Sequence, residues 1–266
     1  MIKVNILSVY LISFVQKLTK MKRFNILFLF LYSSMIWAQS NTSSTKDSLS
    51  IGADLMSRYI FRGMDIGASP SIQPNLTYTT GKFNIGLWGA YTLNKFTTQE
   101  ADIFITYNVN EQFSLTLTDY FFPSETGSYN YFDYKKDTTG HLLEGNLTYT
   151  GQDKFPIQCL IAVNFYGSDA IRLNHAGLKK GIQYSTYAEI SYPFKYFDAF
   201  IGANLTKPHT DLGETGFYGN DIGIINLGLT THKEVKLSST YSLPMSLSFI
   251  TNPQSGKVFL VFGLSL

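Results

Sequence analysis

Three charged residues near the start of the chain, Asp54, Arg58 and Arg62, are spaced four residues apart. On one face of an extended strand, side chains four residues apart lie about 13 Å apart. Guanidinium groups bind carboxylates and other anions through paired donors. If Glu144 and Glu189 share the same interior, these residues could brace it with ion pairs. Alternatively, the two arginines could form a track that favours anionic solutes, and the sequence leaves both readings open.

The histidines and the cysteine lack the spacing of a catalytic or metal-binding motif. His141 has no Asp-Ser pattern beside it, and His175, His209 and His232 lie far apart in the sequence. Cys159 falls on an apolar stripe, where it acts as a small apolar residue. We therefore expect no catalytic residue, no metal ion and no bound cofactor.

The amino-terminal segment has the order of a secretory signal. Lys22 and Arg23 precede the apolar run 24–32, and Ala38 supplies a small residue at the expected cleavage point. A basic region, a short apolar region and a small residue at the cut are typical of a signal peptide. We predict a signal peptide over residues 1–38, with Met21 as an alternative start, and a polar linker over residues 39–47.

Removal of that leader would change the charge of the chain. Five of the 21 basic residues and none of the 19 acidic residues precede Gln39, so the formal charge falls from +2 to −3. The basic character that would favour nucleic-acid binding is then lost. Aromatic residues are as frequent as charged ones, at 15% each. A mean hydropathy of +0.00 argues against a bundle of transmembrane helices.

After the leader, apolar residues recur at every second position, for example in 111–118, 157–165 and the last ten residues. This period of two is typical of strands with one apolar and one polar face. The pattern predicts twelve strands, near 48–62, 70–80, 82–93, 99–109, 111–122, 139–150, 155–166, 181–193, 197–206, 220–231, 234–244 and 257–266.

The predicted connections alternate between tight and long. The tight ones are 80–82, 109–111, 150–155, 193–197 and 231–234; the long, polar ones are 122–139, 166–181, 206–220 and 244–257. Short turns at one end and long loops at the other are typical of an outer-membrane barrel. An open sheet edge is excluded inside a bilayer, so the sheet must close. We predict an all-β fold over residues 48–266: a transmembrane antiparallel up-and-down β-barrel of about 12 strands, with both termini in the periplasm.

The two arginines of the first predicted strand should face the lumen of that barrel. Near the midplane, an arginine on the lipid face costs about 2–4 kcal/mol. The acidic residues on inward faces of other strands, which could pair with the arginines, are Glu100, Asp102, Glu144, Glu189 and Asp198.

Residues 57–63, Ser-Arg-Tyr-Ile-Phe-Arg-Gly, are followed by Pro70, Gln73, a Gly-x-Phe at 81–83 and a Gly-x-Trp at 86–88. This pattern resembles the opening of the TorF-like porin family, also known as the Gcw_chp family of uncharacterised bacterial proteins. Arg58 stands where many members have an acidic residue, so any role of that acid does not carry over. The resemblance covers about residues 57–93, implies an outer-membrane channel and supplies no catalytic residues.

The sequence thus predicts a passive channel for small hydrophilic solutes and no enzymatic activity, with the outer-membrane bilayer and the solutes as its partners. The predicted pore-lining residues are Asp54, Arg58, Arg62, Glu144 and Glu189. A first alternative is a closed structural or adhesive barrel whose outer loops bind a partner. It is suggested by the inward aromatic residues Trp88, Phe104, Tyr120, Tyr187 and Phe200. A second alternative is a lipid-acting hydrolase, which would need a Ser-His pair at the outer rim.

Overall fold

A computed structural model describes residues 47–94, 99–123 and 130–266 of the 266-residue chain. The predicted signal peptide, and the predicted linker up to residue 46, lie outside the described residues. Within the described residues the only helical element is a 3₁₀ turn, Thr210–Leu212. No helix in those ranges is both long and apolar enough to cross a membrane.

The period-two pattern forms strands, and twelve of them build the wall. These are β1 Ser48–Met56, β4 Ser71–Thr80, β5 Phe83–Thr92, β6 Glu100–Asn108, β7 Phe113–Phe121, β8 His141–Tyr149, β9 Gln158–Gly167, β12 Thr186–Pro193, β13 Asp198–Asn204, β14 Gly223–Lys236, β15 Ser242–Asn252 and β16 Lys257–Ser265. Two small hairpins lie in connections: β2 Ile60–Phe61 with β3 Met64–Asp65, and β10 Ile171–Leu173 with β11 Lys179–Ile182.

The twelve wall strands form one closed antiparallel barrel in the order β1-β16-β15-β14-β13-β12-β9-β8-β7-β6-β5-β4. The first strand closes the sheet, since β1 pairs with β4 along its whole length and with β16 near its end. Every other contact joins neighbours along the chain, apart from the small hairpins. The predicted all-β barrel of about twelve strands is therefore confirmed.

The two faces of the wall carry different residues. Along β5, the exposed side chains Phe83, Ile85, Leu87 and Tyr91 point outward. Alternate residues of the same strand point inward, where Trp88 pairs with Asp102 of β6. This alternation continues around the barrel, which therefore has an apolar exterior and a largely polar interior.

The connections differ between the two ends of the barrel, as predicted, with one correction. Four tight turns were predicted correctly, but the eleventh strand was placed wrongly. The structure has β14 running to Lys236 and β15 at Ser242–Asn252, not a strand at 234–244. The predicted tight turn at 231–234 therefore lies within β14, and the predicted long loop at 244–257 is a turn of four residues, 253–256. Pairing continues from Leu227↔Thr251 to Lys236↔Ser242, although the residues of β14 after Leu229 are polar apart from Val235.

Two irregularities interrupt the regular pairing of the wall. The register shifts between Gly202 and Ala203, so Ile225 is an extra residue on β14 and lies fully buried. A second shift, between Leu143 and Glu144, lies where β8 meets β9. Bulges of this kind redirect one side chain without breaking the sheet.

Candidate functional site: the lumen and its inner hairpin

The segment after β1 turns into the barrel instead of continuing the wall. β2 and β3 pair through Phe61↔Met64, and only Arg62 and Gly63 join them. Both of these residues have positive φ, +50° and +77°. Two-residue hairpins require this backbone so that the turn matches the twist of the strands. We call residues 57–66 the inner hairpin.

The tip of the inner hairpin lies against the β14 side of the wall. A Cβ atom built on Gly63 would lie 1.9 Å from the carbonyl oxygen of Ile225, so the backbone approaches closely only because Gly63 has no side chain. The Asn252 side-chain amide, which is buried, donates a hydrogen bond to the Gly63 carbonyl oxygen at 3.1 Å. The hairpin therefore reaches across the lumen to β14 and the end of β15.

Arg62, at the same tip, points toward β8. Its Nη2 donates to Glu144 Oε1 at 2.9 Å, and its Nη1 contacts both Glu144 Oε2 and the Tyr218 hydroxyl. The hydroxyls of Tyr120 and Tyr218 donate to the same carboxylate, at 3.1 and 3.2 Å. Because Glu144 is fully buried, these donors replace the water that its charge would otherwise need.

Aromatic rings enclose the Arg62 guanidinium. Its central carbon lies 4.7 Å from the centre of the Phe61 ring and 4.8 Å from that of Tyr187. A cation over an aromatic face is attracted by the ring quadrupole, more strongly when water is excluded. The tip of the hairpin is thus held by an ion pair and by ring packing, both inside the barrel.

A second anchor lies nearer the base of the inner hairpin, on the side of β6. The Tyr59 hydroxyl donates to Glu100 Oε2 at 2.8 Å, and its ring packs against Trp88 with centres 5.5 Å apart. Glu100 and Asp102 are two residues apart on β6, so their side chains are neighbours on its inward face. Both residues are buried, with 3% and 6% of their surface exposed.

The structure corrects the predicted arrangement of Arg58 and Arg62. The first strand ends at Met56 rather than at residue 62, so the two arginines do not share one strand face. Arg58 pairs within the hairpin region, with Nη1 2.7 Å from Asp65 Oδ2, while Arg62 pairs with Glu144 across the lumen. Of the two readings left open by the sequence, the ion-paired interior matches the geometry, since each guanidinium already faces a carboxylate.

The other two predicted pore-lining residues lie on the wall and face inward. Glu189 accepts hydrogen bonds from the Tyr187 hydroxyl and from Asn226 Nδ2, the latter at 2.8 Å. Asp54 accepts one from Ser265 Oγ at 2.6 Å. The structure therefore brings Arg62 and Glu144 together, whereas Asp54 and Glu189 belong to separate clusters.

The lumen differs in free space on the two sides of the inner hairpin. Between the hairpin and the wall there is a cavity of about 30 Å³, which Phe61, Glu100 and Glu144 help to line. A cavity of about 420 Å³ lies among β1, β4, β14, β15 and β16, lined in part by Asp54, Gln73, His232, Glu234 and Ser246. The inner hairpin therefore fills its half of the lumen, while the half nearer the short turns retains a polar cavity.

His141 forms a separate cluster on the outer face of the wall. Its Nδ1 lies 2.7 Å from Asp119 Oδ1 and its Nε2 lies 2.6 Å from the carbonyl oxygen of Tyr131. The ring is fully buried and stacks on Tyr134 with centres 4.0 Å apart. Both ring nitrogens are thus engaged with acceptors, so the cluster fixes the loop after β7 against the wall.

The long loops above the barrel converge on Glu214. Its fully buried carboxylate accepts hydrogen bonds from Arg172 Nη1 at 2.7 Å and from the backbone N–H groups of Leu173 and His209 at 2.6 and 2.7 Å. Burial alone would raise the pKa of Glu214, but these donors outweigh it and hold the pKa below its ordinary value. This carboxylate ties the β10–β11 hairpin to the loop after β13.

Within the described ranges, no group of three or more His, Cys, Asp or Glu side chains is arranged to hold a metal ion. Sequence reasoning missed the roles of Tyr59 and Tyr218, because both lie in connections. It also missed the hairpin itself. The available signal was the Arg-Gly dipeptide at 62–63, since a glycine at such a position favours a tight turn.

Comparison with known proteins supports the predicted resemblance for the first part of the barrel. Residues 39–152 match the model of a family described as "Bacterial protein of unknown function (Gcw_chp)". A search of curated proteins finds no match. The family description names no activity, so the porin part of the resemblance stays a prediction. Residues 39–152, which include the inner hairpin and Glu144, are therefore similar to the Gcw_chp family of bacterial proteins.

Proposed function

We propose that this barrel resides in the outer membrane with both termini in the periplasm. The observation that carries the proposal is the rows of exposed apolar side chains around the exterior of the wall. Ile51, Leu87, Phe249 and Leu260 are each at least half exposed. Such a surface is unfavourable in water but matches the hydrocarbon region of a bilayer.

Aromatic pairs near the short turns support the same placement. The rings of Phe83 and Tyr107 lie 5.1 Å apart, and those of Phe113 and Tyr149 lie 5.0 Å apart. All four residues are on the outward face near the turns that follow β4, β6 and β8. Outer-membrane barrels carry aromatic girdles at the level of the lipid headgroups.

Within this membrane barrel, the proposed activity is passive passage of small hydrophilic solutes, without catalysis. The polar half of the lumen favours solvated molecules, and the inner hairpin closes the other half. Passage therefore requires the hairpin to shift from its anchors at Glu144 and Glu100. The lumen residues proposed to set permeation are the predicted ones, Asp54, Arg58, Arg62, Glu144 and Glu189, with the two arginines acting through the hairpin.

The proposed ion preference of the channel differs from the anion preference that an arginine track would produce. Both arginines are paired with carboxylates, at Asp65 and Glu144, so neither offers an unpaired positive charge. The open cavity is instead lined by two acidic residues, Asp54 and Glu234, and by one lysine, Lys233. We therefore expect a modest preference for cations over anions.

Liposome swelling would test this function. The chain is refolded into phospholipid vesicles, and folding is checked by a heat-dependent shift in gel mobility. Vesicles that contain the folded barrel should swell faster than empty vesicles in small uncharged sugars, and the rate should fall as the sugar grows. If vesicles that contain the folded, inserted barrel swell no faster than empty vesicles, the proposed channel function is contradicted.

That negative result would favour the second candidate, a closed barrel whose outer loops bind a partner. The specific observation behind this candidate is the organisation of the long loops around Glu214. These loops leave a groove of about 460 Å³, which Asp169, Leu173 and Phe217 help to line. A groove built on a fixed loop framework is a suitable binding surface.

A further inference from the structure

The Glu100–Asp102 pair presents an unusual hydrogen-bonding problem. The two residues follow each other on the inward face of β6, opposite Ala90 and Trp88 of β5. Ionised carboxyl groups are acceptors only. Nevertheless, both carboxyl groups are buried side by side on one strand face, and Asp102 Oδ1 is buried with no hydrogen-bond partner among the described residues.

A proton on one of the two groups resolves this problem. A protonated carboxyl can donate to its neighbour, whereas two adjacent carboxylates repel each other, more strongly away from water. At 3% and 6% exposure, neither group has the access to water that a second negative charge would need. The geometry therefore favours one shared proton over two charges.

The surrounding groups do not remove this requirement. The titratable side chains that face the pair inside the barrel are Tyr59 of the inner hairpin, Tyr120 of β7 and, one contact further, Glu144 of β8 with Arg62. Asp119 of β7 lies close to Asp102 but on the outer face of the wall, where it contacts His141. Arg62 is the cation in this set, and it is already bound to Glu144. Asp119 adds negative charge. The neighbourhood thus makes full ionisation of the pair less favourable.

The inner hairpin covers the pair through Tyr59. Its hydroxyl donates to Glu100 at 2.8 Å, and its ring, 7% exposed, packs on Trp88 beside Asp102. Withdrawal of Tyr59 would therefore open both carboxylates to water. Ionisation of the pair and release of the hairpin base are therefore linked.

We propose that Glu100 and Asp102 form a proton-binding site that anchors the inner hairpin, so that loss of the shared proton releases the hairpin. With the proton bound, the base of the hairpin stays docked and the lumen stays closed. Once both carboxyl groups are ionised, hydration of the pair displaces Tyr59. The consequence for solute passage rests on the proposed function, but the anchor itself can be tested without it.

Trp88 provides the probe for this test. The chain has two tryptophans, Trp37 and Trp88, so Trp37→Phe makes Trp88 the single tryptophan of the full chain, which can be excited selectively over the tyrosines. Quenching of Trp88 by acrylamide is measured in detergent micelles from about pH 6 to about pH 9, below the ordinary titration of tyrosine at about 10. We expect quenching to rise severalfold across this range as Tyr59 withdraws.

Two variants and one control sharpen the result. Asp102→Asn keeps a neutral donor beside Glu100, so Trp88 quenching in this variant should stay low at every pH. Glu100→Gln should give the same result and replaces Asp102→Asn if that variant does not fold. Asp198→Asn, an inward acid that pairs with His232 instead, should keep the wild-type response. Folding of each variant is checked by the heat-dependent gel shift.

Several outcomes would overturn the inference. Quenching that is flat with pH in the parent chain, or that rises equally in both neutral variants, would exclude a proton anchor. A rise that millimolar calcium chloride suppresses at the alkaline end would assign the pair to a cation instead of a proton. If quenching follows the prediction but liposomes do not swell, the proton anchor is supported and the channel function is rejected. If liposomes swell but quenching does not follow the prediction, only the proton anchor is rejected.

Discussion

The two halves of the lumen are lined by the same twelve strands but are filled differently. Near the long loops, the inner hairpin leaves a cavity of about 30 Å³. Near the short turns, a cavity of about 420 Å³ remains. In both halves, apolar residues that point outward alternate with residues that point inward. The wall residues alone therefore do not explain why one half of the lumen is filled. An inserted segment fills one half, and under the proposed function its few contacts with the wall would decide whether solutes can pass.

The largest expected effect comes from separating the ion pair at the hairpin tip. Glu144→Gln leaves the Arg62 charge buried without a partner, which costs about 3–5 kcal/mol. Urea unfolding in vesicles measures the loss in the free energy of unfolding. The double variant Arg62→Met with Glu144→Gln removes both charges and should recover much of the loss. A single variant within about 1 kcal/mol of wild type would show that the tip is not held by this pair.

The second largest effect is expected from a substitution at the tip of the inner hairpin, compared with the same substitution in the exposed turn after β4. Gly63→Ala and Gly81→Ala both place a side chain at positive φ, +77° and +55°, which costs about 1–2 kcal/mol in each. Only at Gly63 would the new Cβ clash with the Ile225 carbonyl oxygen, whereas the space at Gly81 is open. The clash should add about 1–3 kcal/mol and loosen the hairpin. Equal losses in the two variants, measured by urea unfolding, would contradict a tip pressed against β14.

The long loops should respond to acid, in contrast to the alkaline release proposed for the hairpin. The donors around Glu214 hold its pKa below the ordinary value. The stabilisation is therefore fully present above the ordinary pKa of an unfolded glutamate and is lost as the pH falls through the lowered one.

Glu214→Gln should remove this acid dependence and cost about 1.5–3 kcal/mol of loop stability at neutral pH. Hydrogen exchange at the amides of Leu173 and His209 measures the opening of the loops. The exchange rates are corrected for the intrinsic effect of pH. If exchange of these amides still accelerates with acid as much in the variant as in wild type, the acid response belongs to another group.

The smallest effect is expected in the open half. Asp54 lines the cavity and is not fully buried, so Asp54→Asn should change the free energy of unfolding by no more than about 0.5 kcal/mol. If the barrel conducts, the variant should shift the reversal potential in a salt gradient toward weaker cation preference. A large loss of stability would show that the two halves are more alike than their cavities suggest.

The sequence predicted the wall better than what lies inside it. Alternation in β5, β7 and β9 is enough to identify these strands, because one face of each is apolar. The same alternation continues from Asp54 through Arg58 to Arg62, so periodicity could not show that the chain leaves the wall after Met56. At the polar end of β14 the error was the opposite one: a turn was predicted where the strand continues. Backbone pairing persists there without an apolar face.

The partners of the buried charges depend on contacts between residues that are distant in sequence. Arg62 and Glu144 are 82 residues apart, and Tyr218 joins them from a long loop. The sequence indicated that inward acids could meet the arginines, and Glu144 does so. It could not select Glu144 among the five acidic candidates, because that choice follows from where the hairpin tip lands.

We expect the inner hairpin to be the element that closes the polar lumen of this barrel. Single-channel conductance in a planar bilayer tests it most directly, with wild type compared with a variant whose residues 57–66 are replaced by a short Gly-Ser segment. Both proteins must first show the heat-dependent gel shift of a folded barrel. We expect small or infrequent conductance steps for wild type and larger, frequent steps for the variant. Equal conductance, or a folded and inserted variant that stays silent, would contradict it.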